Sequence, residues 1–168
     1  SGSVASDIVK TSACEYLVSD VFSGYSKAVT DSNIYRRENN LPEVQNIYCN
    51  AHSRRKFKDA SASFPNESKF FLWCFEKIYR LEKIKDFKNR RIWQMKYFRT
   101  MERFGLKLKS GYSSKSSLVK AINYLIKNYY ELTLFLKCED LPIDNNSQER
   151  LMRNPVIGRK TWYGTHSK

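Results

Sequence analysis

The stretch from residue 69 to residue 137 constrains the fold most, because its apolar residues recur at steps of three or four. Such spacing predicts three amphipathic helices, with Gly111 to Lys115 separating the last two and Ser116 or Ser117 capping the third. We interpret the stripes as core and not as a cofactor site. They are Phe71, Phe75, Ile78 and Leu81; Trp93, Tyr97, Met101, Phe104 and Leu108; and Leu118, Ile122, Leu125, Tyr129, Leu132 and Leu136.

Two segments ahead of this stretch have the composition of β-strands. The run from Cys14 to Asp20 alternates and is rich in β-formers, and the run from Val44 to Cys49 is similar. We predict strands near 14–20 and 44–49, a short helix near 4–10, and a loop over the polar residues 33–41. The fold class is therefore α/β, and mostly helical.

Charge and length limit the function classes. The chain has 168 residues, 41% of them hydrophobic, which is enough for one real core. Its net charge is +13, so we expect a polyanionic partner, nucleic acid first and an anionic membrane surface second. No apolar run reaches 18 residues, and we expect a soluble, intracellular protein. The scattered cysteines indicate reduced thiols; they are Cys14, Cys49, Cys74 and Cys138.

Asp20 is the first candidate functional acid. It ends the first predicted strand, and the carboxyl ends of strands in α/β sheets border the crevice where ligands bind. An alternative is that Asp20 only caps a helix over residues 21–29.

Glu149 is the second candidate acid. It falls in the first turn of a short helix predicted from Ser147 until Pro155 ends it. A carboxylate among phosphate-binding cations suits metal-assisted phosphoryl transfer. The alternative is a capping box with Asn146 as N-cap, plus a surface ion pair to Arg153. The neighbouring cations are Arg150, Arg153, Arg159 and Lys160.

A basic helix is predicted directly after the second strand. Cys49 and His52 at its start have the spacing of half a zinc site, but no second pair matches, and we favour packing beside an active site. Its cations should face outward; they are Arg54, Arg55, Lys56 and Lys58.

Five blocks in a fixed order span most of the chain and resemble the transposases of bacterial insertion sequences of the sixty-six family. They are Ser19-Asp20 with Ser23-Gly24-Tyr25; Cys49-Asn50-Ala51-His52-Ser53-Arg54-Arg55-Lys56-Phe57; Ser117-Leu118-x-Lys120-Ala121-Ile122-x-Tyr124; Leu141-Pro142-Ile143-Asp144-Asn145-Asn146-x-x-Glu149-Arg150-x-x-Arg153; and Gly158-Arg159-Lys160-x-Trp162.

The resemblance implies a DDE enzyme with an RNase H-like catalytic core. Residues 1–65 would be a partial core with the second acid, residues 66–140 a helical insertion, and residues 141–168 a core segment with the third acid and a basic tail. The insertion would account for the long separation between Asp20 and Glu149.

The resemblance also implies the chemistry. Asp20 and Glu149 would be catalytic metal ligands for Mg²⁺ or Mn²⁺, two ions in the complete enzyme. The partner would be DNA, both the transposon ends and the target, and the active complex would be a homo-oligomer. The protein would act in the bacterial cytoplasm, at the nucleoid, and would not bind a membrane. Active-site support would come from Gly24, Tyr25, Cys49, His52, Asn145 and Asn146. DNA contacts would come from Arg54, Arg55, Lys56, Arg150, Arg153, Arg159 and Lys160.

The chain departs from the family pattern at its start. The first acid of such a core precedes the strand of Asp20, yet only 13 residues come before that strand, with Asp7 as their one acid. We therefore expect a C-terminal portion of the catalytic core that lacks the first acid and is inactive alone. Two alternatives stay open: a nucleic-acid-binding module that needs no metal, and a nuclease with an RNase H-like core.

Overall fold

The computed structural model describes residues 10, 15–19 and 23–146. This part of the chain is mostly helical with a two-stranded parallel sheet, which confirms the mostly helical α/β prediction. The elements in chain order are strand β1 (Tyr16–Ser19), helix α1 (Ser23–Glu38), strand β2 (Gln45–Tyr48), and helices α2 (Asn50–Ala60), α3 (Pro65–Leu81), α4 (Phe87–Leu108), α5 (Ser117–Lys127) and α6 (Tyr129–Thr133). Short 3-10 turns follow α4 at Lys109–Gly111 and α6 at Leu134–Lys137.

The two strands form a parallel pair whose carboxyl ends lie at the same edge. Tyr16 pairs with Gln45 and Ser19 with Tyr48. Parallel strands cannot be joined by a tight turn, and α1 supplies the crossover between them. Both strands lie inside the predicted ranges 14–20 and 44–49, and each is four residues long.

The predicted loop over residues 33–41 is wrong for residues 33–38, because α1 continues to Glu38; residues 39–41 are non-helical as predicted. The polar side chains of this segment hold the helix against the start of β2. Asn33 donates from Nδ2 to the Val44 carbonyl at 2.9 Å and accepts from the Val44 N–H at 2.8 Å. Buried Arg36 donates from Nε to the Pro42 carbonyl. Polarity here reflects these tertiary hydrogen bonds and not a lack of structure.

The predicted apolar stripes form the core of the helical part. Phe57 of α2 stacks on Phe71 of α3 with ring centroids 4.2 Å apart, and Ile47 of β2 belongs to the same buried cluster. Two stripe residues differ from the prediction, since Trp93 is 49% exposed and Phe104 36% exposed. The stripe members that are fully buried are Phe71, Phe75, Ile78, Met101, Leu118, Ile122, Leu125 and Leu132.

The third predicted helix is divided at its middle. Ser116 is its cap, as its Oγ accepts from the Val119 N–H at 3.2 Å, and α5 ends at Lys127. Gly105 lets α4 approach α5 closely, because an added Cβ there would lie 2.9 Å from Ile122 Cγ2.

Within the described ranges, the helices are too short or too polar to cross a bilayer.

Candidate active site

The carboxyl ends of both strands meet at one edge of the sheet, where Cys49 follows β2. The Cys49 N–H donates to the carbonyl of Ser19, the last residue of β1, at 2.9 Å. Asp20 is the next residue in the chain and lies outside the described residues. This edge is the one at which α/β proteins bind ligands.

Residues 141–146 return to the same edge and are held there by Asn50. The Asn50 backbone N–H donates to the Ile143 carbonyl at 3.2 Å, and its Nδ2 donates to the same carbonyl at 3.1 Å. That Nδ2 also donates to the Leu132 carbonyl at 3.0 Å. Because Asn50 is fully buried, these contacts fix the returning segment against the first turn of α2.

Asp144 organises the turn that follows. Its Oδ1 accepts from the Asn146 N–H at 3.1 Å, and its Oδ2 accepts from Asn146 Nδ2 at 2.8 Å. Tyr79 of α3 donates from its hydroxyl to the same Oδ2 at 2.8 Å. Burial and the nearby Asp144 carboxylate raise the pKa of Tyr79, so this phenol remains protonated and can serve as donor.

Asp144 was not among the predicted site residues. Its carboxylate accepts from the Asn146 N–H, the group that the Glu149 carboxylate would bond in the capping-box alternative; Glu149 lies outside the described residues. An aspartate that accepts from the N–H two residues on is a recognised turn pattern, so the signal was present in the sequence.

Cys49 and His52 lie beside this turn. Burial raises the pKa of the Cys49 thiol, and the N–H groups of Asn145, His52 and Ala51 only partly offset that rise. A neutral thiol is a poor metal ligand. Among the described residues, no three or more His, Cys, Asp or Glu side chains form a group that could hold a metal ion.

Several buried polar atoms near the edge have no hydrogen-bond partner within the described ranges. Asn145 Oδ1, His52 Nδ1 and Asn50 Oδ1 are of this kind. An unpaired polar atom in a protein interior is costly, and each one requires an explanation. Their position beside the segments leading to Asp20 and Glu149 makes this edge the strongest candidate site.

A basic cleft of about 560 Å³ opens between α2 and α3, next to Asn146; we name it the first basic cleft. Arg54 and Arg55, both predicted DNA-binding residues, line it and are exposed. Lys56 lies elsewhere, with its Nζ 4.6 Å from the centre of the Tyr124 ring. The cations of the described lining are Arg54, Arg55, Lys58, Arg80 and Lys83, and its acid is Glu76, which pairs with Arg80.

The remaining predicted residues divide into two groups. Gly24 and Tyr25 lie in the first turn of α1, after β1. The helices predicted near 4–10 and from Ser147 lie almost wholly outside the described residues, as do Asp20, Glu149, Arg150, Arg153, Arg159 and Lys160.

Comparison with known proteins identifies the class as transposase. The family profile that matches, over residues 1–168, is described as Transposase IS66 family. The chain therefore belongs to the IS66 family of transposases. It is also 28% identical over 134 residues to the uncharacterized protein y4jD of Sinorhizobium fredii, an alignment that covers 75% of this chain and 26% of that protein. The chain thus spans about a quarter of that relative's length. No solved structure matches the chain.

Proposed function

We propose that this chain forms part of the catalytic core of a DNA transposase, with Asp20 and Glu149 as the second and third acids. The convergence at Cys49 carries the proposal. Its N–H bonds to the carbonyl of Ser19, which precedes Asp20, and the N–H of the next residue, Asn50, bonds to the carbonyl of Ile143, six residues before Glu149. Segments from opposite ends of the described chain thus lead toward one site.

The sheet and the helices support a division of the core. We propose that β1, α1 and β2 belong to a partial RNase H-like core over residues 1–65. Helices α3 to α6 come between β2 and the returning segment in the chain, and we propose that residues 66–140 form an insertion there. Residues 141–168 would complete this part of the core.

The reaction would be cleavage and joining of DNA strands. Asp20 and Glu149 would hold Mg²⁺ or Mn²⁺, which supplies polarisation of the scissile phosphate and activation of the attacking oxygen. The oxygen of Asn145 that lacks a described partner is of the donor type that such ions prefer. Tyr79 and Asp144 would orient the segment that leads to Glu149, and Arg54 and Arg55 would bind adjacent phosphates. We further propose a homo-oligomeric complex that acts on nucleoid DNA in the bacterial cytoplasm.

An activity assay with the first acid supplied tests this function. The N-terminal part of a family transposase, fused or added as a second polypeptide, is combined with the chain, a divalent metal and DNA bearing the element's terminal repeats. We expect metal-dependent cleavage and joining that Asp20→Asn and Glu149→Gln each abolish. Glu139→Gln, a change of an exposed acid, is the matched control and should leave activity unchanged.

Asp20 and Glu149 without a further acid should give no activity, because two carboxylates leave an ion badly placed, and about 1 Å of misplacement already costs on the order of a hundredfold in rate. Nicking by the chain alone that both variants abolish would show that the first acid lies within these residues. Activity insensitive to both variants would overturn the assignment.

A metal-independent nucleic-acid-binding module is the second candidate, favoured by the first basic cleft. It predicts DNA binding that Glu149→Gln leaves intact, and no cleavage in any combination.

A further inference from the structure

A second basic groove, of about 800 Å³, runs between α4 and the segment from Tyr130 to Lys137. It is separate from the first basic cleft and shares no lining residue with it. Its lining includes no acidic residue of the described chain. The cations are Arg91, Lys96, Arg99 and Arg103 from α4, together with Lys137, and all five are exposed.

Three of these cations, Arg91, Arg99 and Arg103, form a row along the side of α4 that lines the groove. They are separated by eight and four residues. At about 1.5 Å of rise per residue the row is about 18 Å long. This is more than the width of a DNA major groove, about 12 Å, so one row can reach phosphates on both strands.

The positive charge of the second basic groove is not compensated locally. Within the described ranges none of its cations forms an ion pair. Lys137 donates to two neutral groups, the Tyr130 hydroxyl and Gln45 Oε1, each at 3.1 Å. Lys96 lies over the Trp93 ring at 4.7 Å. These contacts orient the side chains and leave their charge free to meet an anion.

The two basic surfaces lie near opposite ends of β2. Lys137 of the second basic groove donates to Gln45, the first residue of that strand, whereas the first basic cleft reaches Asn146 near the carboxyl end of the strand. A strand of four residues spans about 10 Å, so the two basic surfaces border different ends of one short element. They would therefore contact different stretches of DNA.

We propose that the second basic groove binds the phosphate backbone of duplex DNA away from the reacting phosphate. The proposal rests on the proposed function for the choice of DNA, but it requires neither metal nor a catalytic carboxylate. An acidic protein segment would also match the charge. Duplex DNA is favoured because three of the five cations are arginines, whose planar fork suits phosphate, and because the row is longer than the major groove is wide.

Salt-dependent binding of a fluorescent duplex tests the proposal. For Arg99→Ala/Arg103→Ala we expect the slope of log K against log salt to fall by about two, since each phosphate contact contributes about 0.9. Lys69→Ala/Lys120→Ala removes the same charge from exposed positions outside both basic surfaces and should change the slope much less. Equal slopes for the two double variants would overturn the proposal. Thermal unfolding of both variants checks that the fold is retained.

Binding measurements with two other polyanions identify the ligand. Poly-glutamate that binds as tightly as the duplex, and is weakened equally by Arg99→Ala/Arg103→Ala, would overturn the assignment to DNA. Single-stranded DNA that binds more tightly than the duplex, and is weakened by Tyr130→Ala, would overturn the assignment to a duplex.

Failure here is distinguishable from failure of the catalytic proposal. If strand cleavage fails but Arg99→Ala/Arg103→Ala still lowers the salt slope, the second basic groove stands and the catalytic assignment falls. If metal-dependent cleavage occurs but this double variant binds like its control, only the groove proposal falls.

Discussion

The Tyr79 hydroxyl lies 2.8 Å from a carboxylate oxygen of Asp144, across 65 residues of sequence. Tyr79 belongs to α3, in the middle of the helical part, and Asp144 lies five residues before Glu149. The helical part is thus in direct contact with the segment that leads to the proposed third acid. A proposed insertion that makes such a contact can influence the geometry of the site.

Tyr79→Phe should lower the free energy of unfolding by about 1 to 2 kcal/mol, because Asp144 loses one of its donors. Urea unfolding measures this loss. Tyr97→Phe is the matched control: its ring contacts Trp73 at 5.6 Å, and its hydroxyl makes no hydrogen bond within the described chain. Equal losses for the two variants would contradict a stabilising role for the Tyr79 contact.

Duplex DNA should bind partly through the first basic cleft. Arg54→Ala/Arg55→Ala should reduce the salt slope by about two, since each lost phosphate contact removes about 0.9. Lys69→Ala/Lys120→Ala serves again as the charge-matched control. A flat salt dependence in the unaltered chain would show that DNA binding does not rest on phosphate contacts.

Gly105→Ala should destabilise the packing of α4 on α5. The added Cβ would lie 2.9 Å from Ile122 Cγ2, a rigid branch on the facing helix. The clash should cost about 1 to 3 kcal/mol and exceed the roughly 1 kcal/mol that alanine gains in helix propensity. In an Ile122→Ala background the same change should be neutral or stabilising.

Gly111→Ala is the control for this prediction, because nothing lies within 4 Å of a Cβ at Gly111. Free energies of unfolding for the unaltered chain, the two single variants and the double variant measure the coupling between Gly105 and Ile122. Independent, additive effects would exclude a steric contact between the two positions.

Stability should decline at alkaline pH partly through Cys74. Burial raises the pKa of its thiol from 9.0 to about 12. Between these values the unfolded chain has lost a proton that the folded chain keeps, so unfolding is favoured as pH rises. This one group should lower the free energy of unfolding by about 1.4 kcal/mol per pH unit in that window.

Urea titrations at several pH values above 9 check the Cys74 prediction. Cys74→Ala should reduce the decline, while Cys138→Ala, at an exposed cysteine, should not. Identical pH dependence in the two variants would show that the Cys74 thiol does not titrate differently on unfolding.

The parts of the fold that could be predicted from the sequence are the helices whose buried residues recur every three or four positions. Phe71, Phe75 and Ile78 recur at helical steps and are buried as expected. The prediction of a loop around Asn33 and Arg36 was wrong, because the polar side chains of this helical segment bond to the backbone just before β2, and no local period records such tertiary contacts.

The candidate site shows the same division between local and tertiary information. Cys49 and Asn145 belong to two ordered motifs from which support residues were predicted, and the bonds of Asn50 to Ile143 hold these two segments at one edge. Arg80 was missed, because only the packing of α3 against α2 places it in the first basic cleft. Asp144 was missed although its turn pattern is local.

Asn50 has a consequence for the order of folding. Its side-chain amide bridges carbonyls 82 and 93 residues further along the chain. Closing such long loops is slow, and during synthesis these acceptors leave the ribosome after Asn50 and most of the helices. Pulse-labelled hydrogen exchange should therefore show protection in α3 and α4 before the amide of Asn50; simultaneous protection would contradict this. The edge that leads to both proposed acids is thus assembled last, so a nascent or partly folded chain carries the cations of α2, α3 and α4 before it carries a formed site.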